Sequence, residues 1–310
     1  MAEPIELQRY FRHRLARCRR QVGLEIETLM TKPRGNVGAK LISFGESQEL
    51  MRRLARSGWD AHVQHAGDHL VLVRDPAGFS YKYDAGHANF ELACPPDYSA
   101  RAALHKARDR LEQLYRIANS LGISPLLAPC HRGEEDTLID LEPRDRFWLT
   151  VDGRDAFAPI ARIASFQATF DVAPEEAIEL INRLLQRLEH FYSWFPQFRV
   201  WQRYVHESKA GYRGDRFGGP MGFESIEEYC ARIAEHKVGL IKAQRLVPFA
   251  EADLADTKEI ALFIRSVWWH FRLRRNGDQL CIEVRPIGRY PDDELEARLA
   301  FVCELVGYAM

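Results

Sequence analysis

Alternating apolar and polar residues mark five short segments of this chain as β-strands. In the segment VGLEIET, Val22, Leu24 and Ile26 share one face, whereas Glu25 and Glu27 share the other. The same two-residue period runs through FEL at 90–92, ASFQATFDV at 164–172, WWHFRLR at 268–274 and LCIEVRP at 280–286. Each segment therefore offers one apolar face to a core and one polar face that can carry chemistry.

Helical spacing and turn residues complete the predicted architecture. Apolar residues three and four positions apart predict helices at 47–57, 99–121, 174–192 and 225–235, with a further helix at the C-terminal end. Gly58 and Gly122 follow the first two of these helices, as is typical of helix ends. The turn Asn276–Gly277 joins the last two strands as a hairpin. We expect an α+β fold with a mainly antiparallel sheet and helices packed outside it.

Composition narrows the class of partner. The 310 residues contain 43 Lys and Arg against 44 Asp and Glu, so the net charge is −1 and neither nucleic acid nor an anionic membrane is a predicted partner. No run of 18 apolar residues predicts a membrane span. The six cysteines, at positions 18, 94, 130, 230, 281 and 303, include no C-x-x-C pair. We interpret them as reduced thiols and expect a cytoplasmic protein.

The polar strand faces carry an unusual set of side chains. They include four glutamates and two arginines but no lysine, among them Glu25, Glu27, Glu91, Glu283, Arg272 and Arg285. Clustered carboxylates repel one another unless cations lie between them, and Mg²⁺ is typically bound by one or two carboxylates and substrate phosphates. Arginine suits bidentate contact with phosphate. The pattern favours a magnesium–nucleotide site for phosphoryl transfer, and a solvated or salt-bridged sheet face is the alternative.

Common phosphate-binding and hydrolase motifs are absent from the sequence. It contains no G-x-x-x-x-G-K-[ST], no G-x-G-x-x-G after a strand, no H-E-x-x-H and no G-x-S-x-G. A nucleotide would therefore bind on the sheet, through metal and arginine, and not in a glycine-rich loop.

Six segments in order resemble the glutamate–cysteine ligase (γ-glutamylcysteine synthetase) family, and its plant and proteobacterial type most closely. They are G-L-E-I-E at 23–27, D-A-G-H-A-N-F-E-L-A-C-P at 84–95, Arg162 with Q-A-T-F-D at 167–171, D-R-F-G at 215–218 with Tyr229, F-R-L-R-R at 271–275, and E-V-R at 283–285. His87 and Ala88 depart from the glycine-rich pattern of the family, and Thr169 stands where the plant type has Asn. The segment after Phe195 is shorter than in the family.

The resemblance implies a fold and an activity. The sheet is expected to be curved, as in glutamine synthetase and guanidino kinases, and to form a funnel-shaped active site within one catalytic domain, residues 1–310. The implied reaction is ATP- and Mg²⁺-dependent. The acid is first phosphorylated to an acyl phosphate, and an amine then displaces phosphate to form an amide, most simply from glutamate and cysteine.

The resemblance also implies roles for individual residues. The implied ligands of two or three Mg²⁺ ions are Glu25, Glu27, Glu91, Glu283, Gln167 and Asp84. Arg285 and Arg272 are expected to stabilise the transferring phosphoryl group, with Glu27 as a further catalytic residue. The residues expected to hold substrate or phosphate are Arg162, Arg216, Arg285, Thr169 and Tyr229.

Structural roles are the alternatives for several of these residues. Glu27 could pair with Arg285, Gln167 could be a hydrogen-bonded core amide, and Arg216 could be solvated. His87 is expected to form a hydrogen bond more than to bind metal, because Mg²⁺ prefers oxygen ligands. Of the pair Trp268–Trp269, we expect one ring in the core and one in the wall of the site.

Two other functions remain open at this point. A phosphotransferase related to guanidino kinases would transfer phosphate without condensation, and a binding module could retain the fold without activity. Within the ligase class, another acid, amino acid or peptide could replace glutamate or cysteine. The predicted partners are small molecules, and a homodimer is a further possibility.

Overall fold

The computed structural model describes residues 4–12, 20–35, 38–252, 254 and 257–310. Its helices are α1 (Pro4–Arg12), α2 (Phe44–Arg56), α3 (Ala100–Asn119), α4 (Pro143–Asp152), α5 (Arg154–Phe157), α6 (Ala177–Leu185), α7 (Leu188–Trp194), α8 (Phe198–Glu207), α9 (Ile226–Ala234), α10 (Thr257–Arg265) and α11 (Asp292–Val306). Short 3₁₀ turns lie at Ile160–Arg162, Gly214–Arg216 and Phe249–Glu251. No described helix has the length and apolar character needed to cross a bilayer.

Ten of the fourteen strands form one sheet. The strands are β1 (Val22–Pro33), β2 (Ala39–Leu41), β3 (His62–Ala66), β4 (His69–Arg74), β5 (Ser80–Asp84), β6 (Gly86–Ala93), β7 (Ser124–Leu126), β8 (Phe166–Asp171), β9 (Phe217–Gly218), β10 (Val238–Leu240), β11 (Arg245–Val247), β12 (Trp268–Trp269), β13 (Phe271–Asn276) and β14 (Gln279–Val284). The main order is β13-β14-β8-β1-β6-β5-β4-β3, and β2 and β7 also pair with β1.

Every strand pair in this sheet is antiparallel, which confirms the predicted α+β class. The sheet is open, because β3 and β13 lie at its two edges and do not pair with each other. The predicted funnel stays a prediction, as does the assignment of residues 1–310 to a single catalytic domain.

The core lies against the apolar face of the sheet. Ile26 of β1, Phe166 of β8 and Ile282 of β14 are fully buried there, together with Leu111 of α3 and Leu299 of α11. These residues occupy the apolar positions of the alternating pattern, so the predicted assignment of faces is confirmed for β1, β8 and β14. The opposite face of the sheet carries charged and amide side chains.

Several predicted elements differ in extent. The helix predicted at 174–192 is two helices, α6 and α7, separated at Gln186 and Arg187. The strand predicted at 268–274 divides into β12 and β13, because β12 pairs in parallel with β9 and the His270 amide donates to the Gly218 carbonyl at 3.1 Å. Helices α4, α5, α8 and α10 were not predicted.

An irregularity in the hairpin β5–β6 sets the position of Asp84. The register shifts between Tyr83 and Asp84, and Ala85 has a left-handed φ of 53°. Gly86 follows in a confined position, where a Cβ atom would lie 2.7 Å from Thr137 Oγ1 and 3.0 Å from Ala161 Cβ. Only glycine fits there without displacing its neighbours.

Five cysteines are free thiols, namely Cys94, Cys130, Cys230, Cys281 and Cys303. Cys18 lies outside the described residues.

Candidate active site

A cavity of about 250 Å³ opens on the polar face of the sheet. The charged and amide side chains in its wall are Glu25, Glu27, Lys82, Asp84, Glu91, Arg144, Asp145, Gln167, Arg265, Arg272, Arg274, Glu283 and Arg285. The remaining wall is largely aromatic and aliphatic. The cavity therefore joins a highly charged half to an apolar half.

The antiparallel register gathers the predicted glutamates from strands far apart in sequence. Glu27 of β1 lies directly opposite Glu91 of β6, and Glu25 lies opposite Gln167 of β8. Directly opposed residues have their side chains on the same face, about 5 Å apart at Cβ. The alternation seen in the sequence therefore places these side chains in one wall.

Glu27 is 5% exposed and receives hydrogen bonds from neutral donors. The Ser165 amide donates to its Oε2 at 2.8 Å, and Ser165 Oγ donates to Oε1 at 2.7 Å. Gln167 Nε2 also donates to Oε1, at 3.0 Å. Burial raises the pKa of Glu27 well above its usual range, and the negative charge of Asp84 raises it further, whereas the bonds from Ser165 oppose the change. The three donors to Glu27 are thus all uncharged.

Glu91 and Glu25 each have one cationic neighbour. Lys82 of β5 lies opposite Glu91 in the register, and its Nζ is 3.1 Å from Glu91 Oε1. Glu25 lies 3.5 Å from Arg274 Nη1 and keeps 29% of its side chain exposed. Burial raises the pKa of Glu25, and the charges of Glu91 and Glu283 add to the effect. The Glu91 carboxylate raises the pKa of Lys82, so that side chain stays charged.

Glu283, which is 1% exposed, lies among three guanidinium groups. Arg272 Nη2 contacts its Oε2, Arg274 Nη1 donates to Oε1 at 2.6 Å, and Arg285 Nη1 donates to Oε2 at 3.1 Å. Burial opposes ionisation of Glu283, but the charges of Arg272, Arg285 and Arg274 hold its pKa well below the ordinary value. Glu283 is thus a charged carboxylate with its oxygens already occupied by arginines.

Arg272 also links this cluster to helix α10. Its Nη1 donates to the carbonyls of Ile264, Arg265 and Val267, each at 3.0 Å. Ile264 and Arg265 lie in the last turn of α10, whose carbonyls are not all satisfied within the helix, and Val267 follows it. The Ile264 carbonyl also accepts from the Val267 amide at 3.1 Å. Burial lowers the pKa of Arg272 to about 10. Arg285 is more accessible, with 22% of its side chain exposed, and it also donates to Gln167 Oε1 at 3.1 Å.

The predicted metal ligands line one cavity, but they do not form a closed metal site. Within the described residues, no group of three or more His, Cys, Asp or Glu side chains is placed to hold a metal ion. The charges of Glu27 and Asp84 act on each other, and neither forms an ion pair within the described residues, although the charge of Lys82 also acts on Asp84. An oxygen-rich pair of this kind fits the usual binding of Mg²⁺, through one or two carboxylates and substrate phosphates.

Arg216 and Tyr229, predicted to hold substrate, are fully buried behind the site. Arg216 lies over the rings of Tyr212 and Trp268, and it donates to the Lys237 carbonyl at 3.0 Å and to Ser266 Oγ at 3.1 Å. Tyr229 accepts a hydrogen bond from the Leu273 amide at 2.8 Å. These contacts favour structural roles, because both side chains are used within the protein and neither lines the cavity.

Three other singled-out residues also lie outside the cavity wall. Arg162 donates to the Gly133 carbonyl. Thr169 lies opposite Glu283 in the ladder. His87 is 3.3 Å from Ser47 Oγ through its Nδ1, and burial lowers the pKa of His87 to about 4. The hydrogen-bonding interpretation of His87 fits this geometry.

The apolar half of the cavity belongs to a hydrophobic cluster separate from the main core. Trp268 lies at its centre, with ring centroids 5.4 Å from Trp201 and 5.5 Å from Trp148. Phe217 stacks on Trp201 at 5.7 Å. Trp269 belongs to the main core, so the prediction of one core ring and one wall ring is confirmed.

The polar wall residues that sequence reasoning missed include Lys82, Arg274 and Ser165. Arg274 and Ser165 already stood on the polar faces of their alternating strands, beside the residues that were chosen. Lys82 stands two positions before Asp84, in a strand too short to show a clear period. Its partner Glu91 is set by the β5–β6 register, which the sequence alone does not reveal.

Comparisons with known proteins give fold-level likeness only. No family model matches the sequence, and no curated protein matches it. Among solved structures, a bifunctional glutathione synthetase from Pasteurella multocida is similar over 97% of this chain and 40% of its own, with 11% identity and a TM-score of 0.47.

A second similar structure is a glutamate–cysteine ligase from Francisella tularensis in complex with AMP. The match covers 94% of this chain and 67% of that one, with 13% identity and a TM-score of 0.45. The ligase PafA, solved with the ubiquitin-like protein Pup, is similar over 93% of this chain and 62% of its own, with 10% identity and a TM-score of 0.34. Likeness at this level does not assign an activity, so function is argued from the site.

Proposed function

We propose that this chain is an ATP- and Mg²⁺-dependent carboxylate–amine ligase that forms an amide through an acyl phosphate. The supporting observation is the convergence of Glu25, Glu27 and Glu91 with Arg272 and Arg285 on one cavity. The simplest substrates are glutamate and cysteine, giving γ-glutamylcysteine, and a different acid, amino acid or peptide is the alternative within the class.

The residues present fit a magnesium ion delivered with the nucleotide. Glu27 and Asp84 would hold it, with Glu25 and Glu91 beside them. When bound, Mg²⁺ supplies positive charge that screens the triphosphate and polarises the transferring phosphoryl group. The roles of Glu283 and Gln167 as ligands remain predictions. The three arginines around Glu283 favour instead a role in positioning those guanidinium groups.

The arginine half of the site supplies charge where two anions must meet. Arg285 is the most accessible of the three guanidinium groups, and its contact with Gln167 fixes its direction. It would bind the phosphoryl or carboxylate oxygens in a bidentate manner. Arg272 is fully engaged with Glu283 and the end of α10, so it would act by positioning and by its field.

The aromatic half of the cavity would exclude water from the reaction. An acyl phosphate hydrolyses readily, and a dry site protects it until the amine attacks. Trp268 and Phe217 would cover the apolar part of a substrate while its reacting groups lie over the charged sheet. Direct substrate contacts by Arg162, Arg216, Thr169 and Tyr229 remain predictions.

Release of ADP across pairs of acids and amino acids tests this function. We expect turnover that requires ATP, Mg²⁺, one acid and one amine together, and silencing by millimolar EDTA. Glu27→Gln should abolish ADP release, because the amide cannot replace the carboxylate as a metal ligand. The matched control is Glu49→Gln, which changes an exposed carboxylate paired with Arg52 and Arg53 on α2.

The outcomes separate the competing functions. Full activity in Glu27→Gln, or activity unchanged in chelator, would contradict the proposal. ADP release with a single acceptor, giving a stable phosphorylated product without condensation, would indicate a phosphotransferase related to guanidino kinases. No ADP release with any pair would favour a binding module. Size measurement in solution addresses the proposed homodimer separately.

A further inference from the structure

Lys82 occupies a position between carboxylates of the cavity wall. It lies directly opposite Glu91 in the β5–β6 ladder, and Glu91 lies opposite Glu27 in the β6–β1 ladder. The three side chains therefore form one row across three strands. Lys82 Nζ is 3.1 Å from Glu91 Oε1, and 36% of the Lys82 side chain is exposed in the cavity.

The other carboxylates divide into two groups. Glu25 and Glu283 have arginine neighbours, with Arg274 Nη1 at 3.5 Å and 2.6 Å from them respectively. Within the described part of the chain, Glu27 and Asp84 form no ion pair, and the hydrogen bonds to Glu27 come from neutral groups. The protein's own cations thus compensate three of the five wall glutamates and aspartates near the sheet and leave one pair uncompensated.

A buried carboxylate needs positive charge or hydrogen-bond donors, whether these come from a metal or from a side chain. Glu91 already has the Lys82 ammonium at contact distance, so an ion there would have to displace Lys82 or meet its repulsion. Within the described residues, no cation forms an ion pair with Glu27 or Asp84, and the charge of Lys82 acts on Asp84 more weakly than on Glu91. The fixed cations therefore limit where a divalent ion can be held.

We propose that Lys82 is a built-in counter-ion that replaces a metal ion at Glu91. The site then takes one divalent cation, between Glu27 and Asp84, and not the two or three that the family resemblance implies. This inference rests on the proposed function for the use of that metal. The number of divalent ions bound per chain then depends on Lys82.

Counting bound Mn²⁺ tests the inference without nucleotide or substrate. Purified protein is titrated with Mn²⁺ alone, and the free ion is followed by its electron paramagnetic resonance signal. We expect one ion per chain in the wild type and two in Lys82→Gln, because the substitution exposes Glu91. The double variant Lys82→Gln with Glu91→Gln should return to one ion, since the freed carboxylate is gone.

Two controls keep the count interpretable. Lys32→Gln removes a similar ion pair on the same sheet, with Lys32 Nζ 2.8 Å from Glu46 Oε1 outside the cavity, and should leave one ion. Lys82→Arg keeps a fixed cation and should also leave one ion. Circular dichroism verifies that each variant is folded.

Two results would overturn the inference. One is a wild-type count of two or more, which needs no variant and so holds even if Lys82→Gln does not fold. The other is a folded Lys82→Gln protein with an unchanged count. Because no catalysis is measured, a protein with no ligase activity still gives this count, and failure of the proposed function is seen separately in the ADP assay.

Discussion

Two rows of side chains cross the polar face of the sheet, and each contains a buried glutamate. The two glutamates differ in the charge of the groups around them. In one row Lys82, Glu91 and Glu27 lie side by side, and in the other Arg272 and Glu283 do. Glu27 and Glu283 are 5% and 1% exposed, so burial alone does not distinguish them. Their surroundings do, because Glu27 receives neutral hydrogen bonds whereas Glu283 contacts three guanidinium groups.

The difference separates a carboxylate that still needs a cation from one that already has its cations. A raised pKa marks Glu27 as a group whose charge is incompletely compensated, and a lowered pKa marks Glu283 as part of a completed cluster. Both residues match the same family motif set in the sequence. The structure therefore divides the predicted metal ligands into carboxylates that form no ion pair, such as Glu27, and carboxylates already paired with arginine, such as Glu283.

The largest expected effect is the loss of stability in Glu283→Gln. Removing this charge leaves the guanidinium groups of Arg272, Arg274 and Arg285 without their shared partner, and breaking a buried ion pair costs about 3–5 kcal/mol. The measurement is the free energy of unfolding in urea. Near pH 4.5, below its raised pKa, Glu27 is largely uncharged in the folded state, so the matched change Glu27→Gln should alter the free energy of unfolding there by less than about 1 kcal/mol. Equal losses of unfolding free energy in the two variants would contradict this distinction between Glu27 and Glu283.

The two variants should also depend on pH with opposite sign. Glu27 has a raised pKa in the folded state, so wild-type stability falls as pH rises from the ordinary value of 4.5 through the folded pKa. Glu283 has a lowered pKa, so the stability it contributes is lost as pH falls below 4.5.

Unfolding titrations between pH 3 and pH 9 test this sign. Relative to wild type, Glu27→Gln should become more stable as pH rises, and Glu283→Gln less stable, by about 1.4 kcal/mol for each unit of pKa difference. Parallel curves for the two variants would contradict the assignment. Glu112→Gln, a change at an exposed carboxylate on α3, provides the reference curve.

Magnesium should stabilise the folded protein through Glu27 and Asp84, and not through the arginine cluster around Glu283. A ligand that binds only the folded state at ten times its Kd adds about 1.4 kcal/mol. We expect Mg²⁺ to raise the Tm of wild type and of Arg285→Gln, but not that of Glu27→Gln. Na⁺ at equal ionic strength is the control, and a shift retained in Glu27→Gln would place the ion elsewhere.

The smallest expected effect on stability belongs to Arg285→Gln. This side chain is partly exposed, and exposed ion pairs contribute about 1 kcal/mol or less. Its loss should nevertheless reduce ADP release strongly, because it is the most accessible guanidinium of the cluster. A stability loss as large as that of Glu283→Gln would instead make Arg285 a structural member of the cluster.

The alternating pattern predicted the sheet and its polar face because strand periodicity is a local property. Glu25, Glu27, Glu91 and Glu283 were assigned to that face from short segments, and the register brings them to one cavity. The sequence could not assign Arg216, whose aromatic neighbours are distant along the chain. Which side chains contact one another depends on strand register and tertiary packing, and a local sequence period encodes neither.

Helix and strand ends were predicted less well for a similar reason. The helix predicted at 174–192 is interrupted although its apolar spacing continues, and the strand predicted at 268–274 is divided by pairing with β9. The start of α2 at Phe44 follows from a capping box between Ser43 and Glu46, a local signal that was available in the sequence.

The glycine at position 86 of the β5–β6 hairpin affects the charge distribution of the cavity, because it has no Cβ atom. Gly86 lets the chain turn beside Thr137 and Ala161 immediately after Asp84. Any larger residue there would displace the bend that carries Asp84, whose charge acts on Glu27. The affinity of this wall for positive charge is therefore governed by backbone clearance as much as by the acids themselves.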